Sequence, residues 1–198
     1  LQRRLDRTQR AAKGDKALFR EIKLIENILE ILENGNSPRN LKISEDENKI
    51  LKSFNLLSAK PIIYVANISE DDLGSNDNPY VEKVREYAKL ENAEVVVISA
   101  EIEEEISQLN DDEKIDFLND LGLEKSGLDK LIIASYKLLG LISFLTAGPQ
   151  ESRAWTVKQG TAAPQAAGKI HSDMERGFIR AEVISFKDLM DCGDMVTA

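Results

Sequence analysis

The strongest constraint on this chain is a pair of short apolar runs on either side of one helical pattern. The first, Ile62-Ile63-Tyr64-Val65-Ala66, is bounded by Lys60-Pro61 and Asn67. It is too short for a helix and reads as a central strand covered on both faces. The second, Glu94-Val95-Val96-Val97-Ile98-Ser99, reads as another buried strand. Between them Asn78-Pro79 starts a helix through about Leu90, with proline at the first helical position and Val81, Val84 and Ala88 on one face. Strand, helix, strand of this length predicts a parallel crossover unit and places the middle of the chain in an α/β layer. Ligands of such sheets sit at the carboxyl ends of the strands, here Asn67 to Glu70 and Ser99 to Glu101.

The flanks follow other periods. Leu18, Ile22, Ile25, Leu29 and Leu32 lie on one helical stripe, and Leu1, Leu5, Thr8 and Ala12 follow the same spacing. Lys13-Gly14-Asp15-Lys16 interrupts the phase with turn residues, so residues 1–50 are expected to hold an antiparallel helical hairpin. Gly35 to Pro38 ends its second helix, and Ser44-Glu45-Asp46-Glu47 starts a further short helix through a capping box. Beyond the second strand, Asp111 to Leu121 and Ser126 to Leu139 are expected to be helical. Residues 141–198 change character, with strands expected at Leu141 to Ala147, Arg153 to Val157 and Phe178 to Ser185 and a short helix at Pro164 to Ala167. That alternation predicts a small α+β domain after residues 51–140.

Composition narrows the function classes. Of 198 residues, 42% are hydrophobic and 31% charged, an ordinary balance for a packed domain, and no apolar run approaches the roughly 20 residues of a membrane-spanning helix. The net charge of −9 argues against a wholly basic nucleic-acid binder. It is unevenly spread: residues 1–50 carry +2, residues 51–147 carry −10 and residues 148–198 carry −1. The basic excess concentrates before Lys23, where Arg3, Arg4, Arg7, Arg10, Lys13 and Lys16 offer either a contact for an anionic partner or a solvated helix face. Cys192, the single cysteine, has no internal disulfide partner, which together with the absence of a signal peptide points to a reducing, cytoplasmic setting. The chain starts at Leu1 inside a helical pattern with no methionine, and is read as a fragment.

The loop after the first strand reads Asn67-Ile68-Ser69-Glu70, an N-x-x-E pattern that also occurs at Asn27 to Glu30 and Asn110 to Glu113. Only Asn67 follows a buried parallel strand, where phosphate-loop nucleotidases keep their base-recognition loop. Ser99-Ala100 occupies the place of their second base loop. A guanine-reading N-K-x-D loop uses its aspartate to accept from guanine N1 and the 2-amino group, and adenine has neither proton to offer. Ile68 in place of lysine leaves an apolar contact for the ring, and Glu70 in place of aspartate moves the carboxylate by one methylene. The loop therefore favours adenine over guanine, the competing reading being a polar turn after a strand.

Leu57-Ser58-Ala59-Lys60-Pro61-Ile62-Ile63-Tyr64-Val65-Ala66-Asn67-Ile68-Ser69-Glu70 and Phe144-Leu145-Thr146-Ala147-Gly148-Pro149-Gln150-Glu151-Ser152-Arg153-Ala154-Trp155 strongly resemble the YchF-type Obg-like ATPases. Ala166-Ala167-Gly168-Lys169-Ile170-His171-Ser172-Asp173 and Gly177-Phe178-Ile179-Arg180-Ala181-Glu182-Val183 extend the match, which covers about Leu51 to Gly193. The resemblance implies a nucleotidase domain with a coiled-coil insertion, into which the hairpin fits, and a terminal TGS domain of β-grasp type that is incomplete after Gly193. It also implies ATP binding and hydrolysis in preference to GTP, a Mg²⁺ requirement, and association with ribosomes. No G-x-x-x-x-G-K-[ST] loop occurs in the chain, so the phosphate cradle, its lysine and the Mg²⁺-binding hydroxyl are not among these residues.

His171 lacks the company a catalytic histidine needs, and by resemblance it and Arg180 belong to the TGS part, in a structural or RNA-facing role. Trp155 reads as packing. The carboxylate runs Glu103 to Glu105 and Asp111 to Glu113 read as solvated helix faces. Two function classes then stand: a ribosome-associated ATPase whose base is read by Asn67, Ile68, Ser69, Glu70, Ser99 and Ala100, or a non-catalytic RNA- or ribosome-binding module worked by the TGS domain. An Obg-like GTPase is a third, opposed by Ile68 and Glu70. Neither membrane association nor DNA specificity is expected.

Overall fold

The computed structural model describes residues 1–12, 14–73, 78–148 and 151–193, which divide into two units, Leu1–Leu138 and Leu139–Ala198. The fold is mixed α/β. In the first unit α1 (Gln2–Ala11) and α2 (Lys16–Glu33) pack on each other, and Asp15 caps α2 by accepting from the Ala17 amide at 2.8 Å. The apolar stripe of α2 is wider than its heptad spacing suggested. Ile25 and Ile28 are completely buried and Leu24 nearly so, because α2 is covered on a second side by α3 (Glu45–Ser53), whose Leu51 joins Leu24 and Ile28 in one cluster. Ser44 starts α3 with the anticipated capping box, its hydroxyl accepting from the Glu47 amide while the Glu47 carboxylate accepts from the Ser44 amide. Those bonds from Ser44 hold the Glu47 carboxyl below its ordinary range.

β1 (Ile63–Asn67) and β2 (Glu94–Ile98) form a parallel pair in which Ile63 faces Glu94 and Asn67 faces Ile98. The crossover helix α4 (Pro79–Leu90) buries Val81 and Ala88 and packs on both strands. Asn78 caps it, accepting from the amides of Tyr80 and Val81, with Pro79 at the first helical position. One expectation fails here. β1 is not covered on both faces, since Val65 stays 45% exposed, and β2 is its sole strand partner among the described residues.

The root of the α1–α2 pair is tied to this layer by a polar knot. Glu91, at the C-cap of α4, takes Arg39 Nη1 at 2.7 Å and the Tyr64 hydroxyl on its carboxylate, while its carbonyl accepts from Asn40 at 2.8 Å. Donation to Glu91 pushes the Tyr64 hydroxyl's pKa up. Tyr87 meets Tyr64 edge-on, with ring centroids 6.0 Å apart.

Downstream, α5 (Ala100–Gln108), α6 (Asp111–Asp120) and α7 (Gly127–Leu139) complete the unit, with Ile102, Ile106 and Leu118 forming a second apolar cluster. A single residue, Ser99, separates the end of β2 from the start of α5, which carries the Glu103 to Glu105 run. The carboxylates are not all solvated: Glu103 accepts from the amides of Gly127 at 2.5 Å and Leu128 at 3.0 Å at the start of α7, and Glu113 completes a capping box with Asn110. That box accounts for the N-x-x-E pattern at Asn110. Asn27 to Glu30 lies inside α2.

In the second unit β3 (Leu141–Ala147) and β4 (Ser152–Lys158) form an antiparallel hairpin, with Leu141 opposite Lys158 and Ala147 opposite Ser152. Pro149 and Gln150 lie outside the described residues, as do Asp194 to Ala198. Trp155 donates to Thr146 at 2.9 Å and carries the Arg153 guanidinium over its ring at 4.4 Å. Helix α8 (Ala163–Ile170) packs on β4 and on α9 (Ser172–Arg176), and α10 (Phe186–Cys192) follows. The strand expected at Phe178 to Ser185 is absent. β3 and β4 pair only with each other among the described residues, so this segment has no ladder to join, and Ile179 and Val183 stand 91% and 89% exposed.

Candidate functional site

The parallel register sets the ends of β1 and β2 side by side, and Asn67 joins them. Its side-chain oxygen accepts from the Ala100 amide at 2.9 Å, bridging residues 33 apart in sequence. The Ile68 amide donates to the Ile98 carbonyl at 2.9 Å, extending the sheet pattern one residue into the loop. Asn67, Ile68, Ser69, Ser99 and Ala100 are thereby gathered at one end of the strand pair. Because the Asn67 carbonyl oxygen is committed to Ala100, its amino group is the part left to donate, with no partner among the described residues. Ser99 is 2% exposed and its hydroxyl has no partner among the described residues, although it occupies the N-cap position of α5. Such an orphaned buried hydroxyl is costly without a bond.

Beside these groups is a cavity of about 430 Å³ lined by Asn67, Ile68, Ser69, Asp72, Tyr80 and Val84, among others. Glu70 starts the 3-10 turn Glu70–Asp72 and is exposed, without a direct bond to the bridge. Two groups here carried no sequence signal beyond helix capping: Asp72 accepts from the Ser69 hydroxyl at 3.2 Å and from the Asn78 amide group at 3.1 Å. On the opposite side, Glu103 secures α5 to the start of α7. There Ser126 donates to Asp129 and, with Lys114 3.7 Å away, holds that carboxyl below the usual carboxylate range.

The basic residues lie elsewhere. Arg3, Arg7 and Arg10 are exposed along α1 and line a shallow groove with Asp6, and none of the three forms an ion pair among the described residues. Arg4 differs from them, with its guanidinium bonded to Glu21 at 2.7 Å and stacked over Phe54 at 4.5 Å, so it holds the helices together. Lys13 lies outside the described residues, and Lys16 begins α2. In the second unit, His171 caps α9 by accepting at Nδ1 from the Asp173 amide at 3.2 Å, and Arg180 faces Glu182 at 3.5 Å.

Among the described residues no group of three or more His, Cys, Asp or Glu side chains is arranged to hold a metal ion. The groups around the bridge are amides, hydroxyls, the exposed Glu70 carboxylate and the Asp72 carboxylate, whose Oδ2 is bonded by Ser69 and Asn78, a set that does not by itself make a Mg²⁺ cage. No helix among the described residues is long and apolar enough to cross a membrane.

Residues 141–198 match the family model YchF-GTPase_C, described as a protein of unknown function (DUF933). The Ribosome-binding ATPase YchF of Bacillus subtilis (strain 168) is 48% identical over 200 residues, covering 100% of this chain and 55% of the relative. That of Pasteurella multocida (strain Pm70) is 48% identical over 96% of the chain and 52% of its own length. The solved structure of the Schizosaccharomyces pombe YchF GTPase superposes with a TM-score of 0.86 at 32% identity, covering 99% of this chain and 54% of that one. The chain spans about half the length of the relatives it matches, and across that span, in sequence and in fold, it belongs to the YchF family.

Proposed function

We propose that this chain supplies the base-reading face and the ribosome-facing arm of a nucleoside triphosphatase that prefers ATP to GTP. The observation that carries the reading is the Asn67 to Ala100 bond, which holds two loops together at the carboxyl ends of a parallel pair, beside a cavity. With its oxygen occupied, Asn67 offers its amino group to a purine ring acceptor such as N7. Ile68 lies against the ring, Tyr80 and Val84 of α4 line the same cavity, and Ala100 is tied to the loop through Asn67. The lysine and aspartate of a guanine-reading loop are missing, and Glu70, exposed in the turn, is not held where it would meet guanine N1. The names of the relatives, ribosome-binding ATPase and GTPase, support the reaction class.

Hydrolysis belongs to the full-length protein, with Mg²⁺ as the expected cofactor. No phosphate loop occurs among these residues, and no catalytic step is assigned to them. Residues 1–50 serve as the coiled-coil arm, 51–140 as part of the nucleotidase domain and 141–198 as the TGS domain, in a cytoplasmic protein. In full-length protein, Ile68→Lys with Glu70→Asp should shift preference toward GTP by about 1–3 kcal/mol, read by competitive titration. The isolated chain assayed beside it should show no ATP turnover above buffer. Unchanged discrimination in a folded double variant, or robust turnover by the isolated chain, overturns the assignment.

The unpaired Arg3, Arg7 and Arg10 favour α1 as the face that meets ribosomal phosphates, since the middle of the chain is strongly acidic. Arg4 is left out because Glu21 and Phe54 occupy it, and His171 and Arg180 remain the candidates on the second unit. Changing the three arginines to serine should weaken ribosome co-sedimentation and flatten its salt dependence. If neither changes, the arm is a solvated coiled coil and the second unit becomes the remaining candidate for the contact.

A further inference from the structure

The loop that the base-reading proposal depends on is held at its two ends by different means. At Asn67 and Ile68 it is bonded to the β2 strand and the start of α5. From Ser69 onward the polar tie to the rest of the unit runs through Asp72. The Asp72 carboxylate oxygen accepts from the Ser69 hydroxyl at 3.2 Å and from the Asn78 side-chain amide at 3.1 Å. Asn78 is itself oriented, because its carbonyl oxygen is engaged by the first amides of α4 at 3.0 and 3.2 Å. One amide side chain thus caps the crossover helix with its oxygen and anchors the loop with its nitrogen. Ser69, Asp72 and Asn78 all line the cavity that Asn67 and Ile68 share.

We propose that Asp72 and Asn78 are positioning residues for base recognition, forming a latch that holds the Ile68–Ser69 segment in its nucleotide-ready shape before nucleotide arrives. The inference rests on the base-reading proposal and adds what sets the loop's shape. A carboxylate accepting one bond from the loop hydroxyl and one from an oriented side-chain amide is a stronger tie than a neutral pair. A loop ordered in advance loses less conformational freedom when it closes on a ligand. The latch acts through the loop, and the prediction is a loss confined to the base-dependent part of affinity.

The variants are Asn78→Ser, Asp72→Ala and Asp72→Asn in full-length protein, titrated with ATP and with base-free ribose 5-triphosphate. Serine is as good an N-cap as asparagine, so Asn78→Ser keeps α4 capped and the protein folded while removing the amide donor. It and Asp72→Ala should weaken ATP about 5–10-fold, as expected for losing one to two such bonds, and leave the base-free ligand unchanged. Asp72→Asn, whose carbonyl oxygen still accepts but without the charge, should restore about half of the loss. Equal weakening of both ligands, or unchanged ATP affinity in Asn78→Ser, overturns the latch. Asn67→Ala, titrated in parallel, separates the two ideas. If it lowers the ATP to base-free affinity ratio and the latch variants do not, the latch alone is wrong; if it too leaves the ratio unchanged, the base-reading proposal fails with it.

Discussion

The two strand pairs of this chain are nearly the same size and have opposite consequences. β1 and β2 run parallel, so a helix must cross between them, and the crossing both covers the sheet and brings Asn67 beside Ala100. β3 and β4 are joined directly as an antiparallel hairpin, whose pairing stays local and brings Trp155 to Thr146, nine residues away. The unit that holds the parallel pair also contains almost completely buried helix residues such as Ile25, Ile28 and Ile102, whereas the unit with the hairpin leaves Ile179, Val183, Phe186 and Met190 exposed. Long-range pairing creates convergent loops, and short-range pairing keeps its contacts within one segment.

The contrast is open to direct attack. Its largest expected consequence is in the apolar clusters: Ile28→Ala, at a completely buried position packed on Leu24 and Leu51, should cost about 3 kcal/mol in chemical denaturation. Ile179→Ala, at a residue 91% exposed, should stay within about 0.5 kcal/mol. Equal costs would mean that the second unit buries Ile179 in solution, and the comparison would break there.

A finer test uses one glycine from each unit. A methyl added at Gly127 would meet Ile98 Cγ2 at 2.6 Å and Glu103 Oε1 at 2.8 Å, displacing a sheet side chain and the carboxylate that secures α7. Gly127→Ala should therefore destabilise by about 2 kcal/mol despite alanine's better helix propensity. At Gly168 the nearest obstacle is the end of the exposed Glu175 side chain, which can swing into water, with the Glu175 Cβ at 3.0 Å requiring a small shift of α9. Gly168→Ala should cost less than about 1 kcal/mol, because the helix propensity gain offsets that shift. Matching thermal shifts for the two variants would show that α9 is as rigidly held as the end of β2.

Much of this was legible in the residues themselves. The apolar run before Asn67, the Asn-Pro start of α4 and the Ser44 to Glu47 box specify their elements locally, because a cap, a proline or a continuous apolar run acts within a few residues. Phe178 to Ser185 was misread for the complementary reason: β-branched content makes a strand only where a partner offers a ladder. Glu103 looked like one more solvated acid because nothing in its own segment indicates that the amides of Gly127 and Leu128, 24 and 25 residues on, converge on it.

The candidate site divides along the same line. The N-x-x-E pattern after an apolar run pointed to the Asn67 loop, and Ser99-Ala100 after the second run pointed to its companion, since residue types and strand order are written in the chain. Which Asn67 atom is spent on Ala100, that Arg4 is occupied while Arg3, Arg7 and Arg10 are not, and that Asp72 ties Ser69 to the cap of α4 were decided by the tertiary structure alone. Hydrogen bonds between side chains many residues apart depend on register and helix placement, which one strand's sequence does not encode until its neighbour has docked.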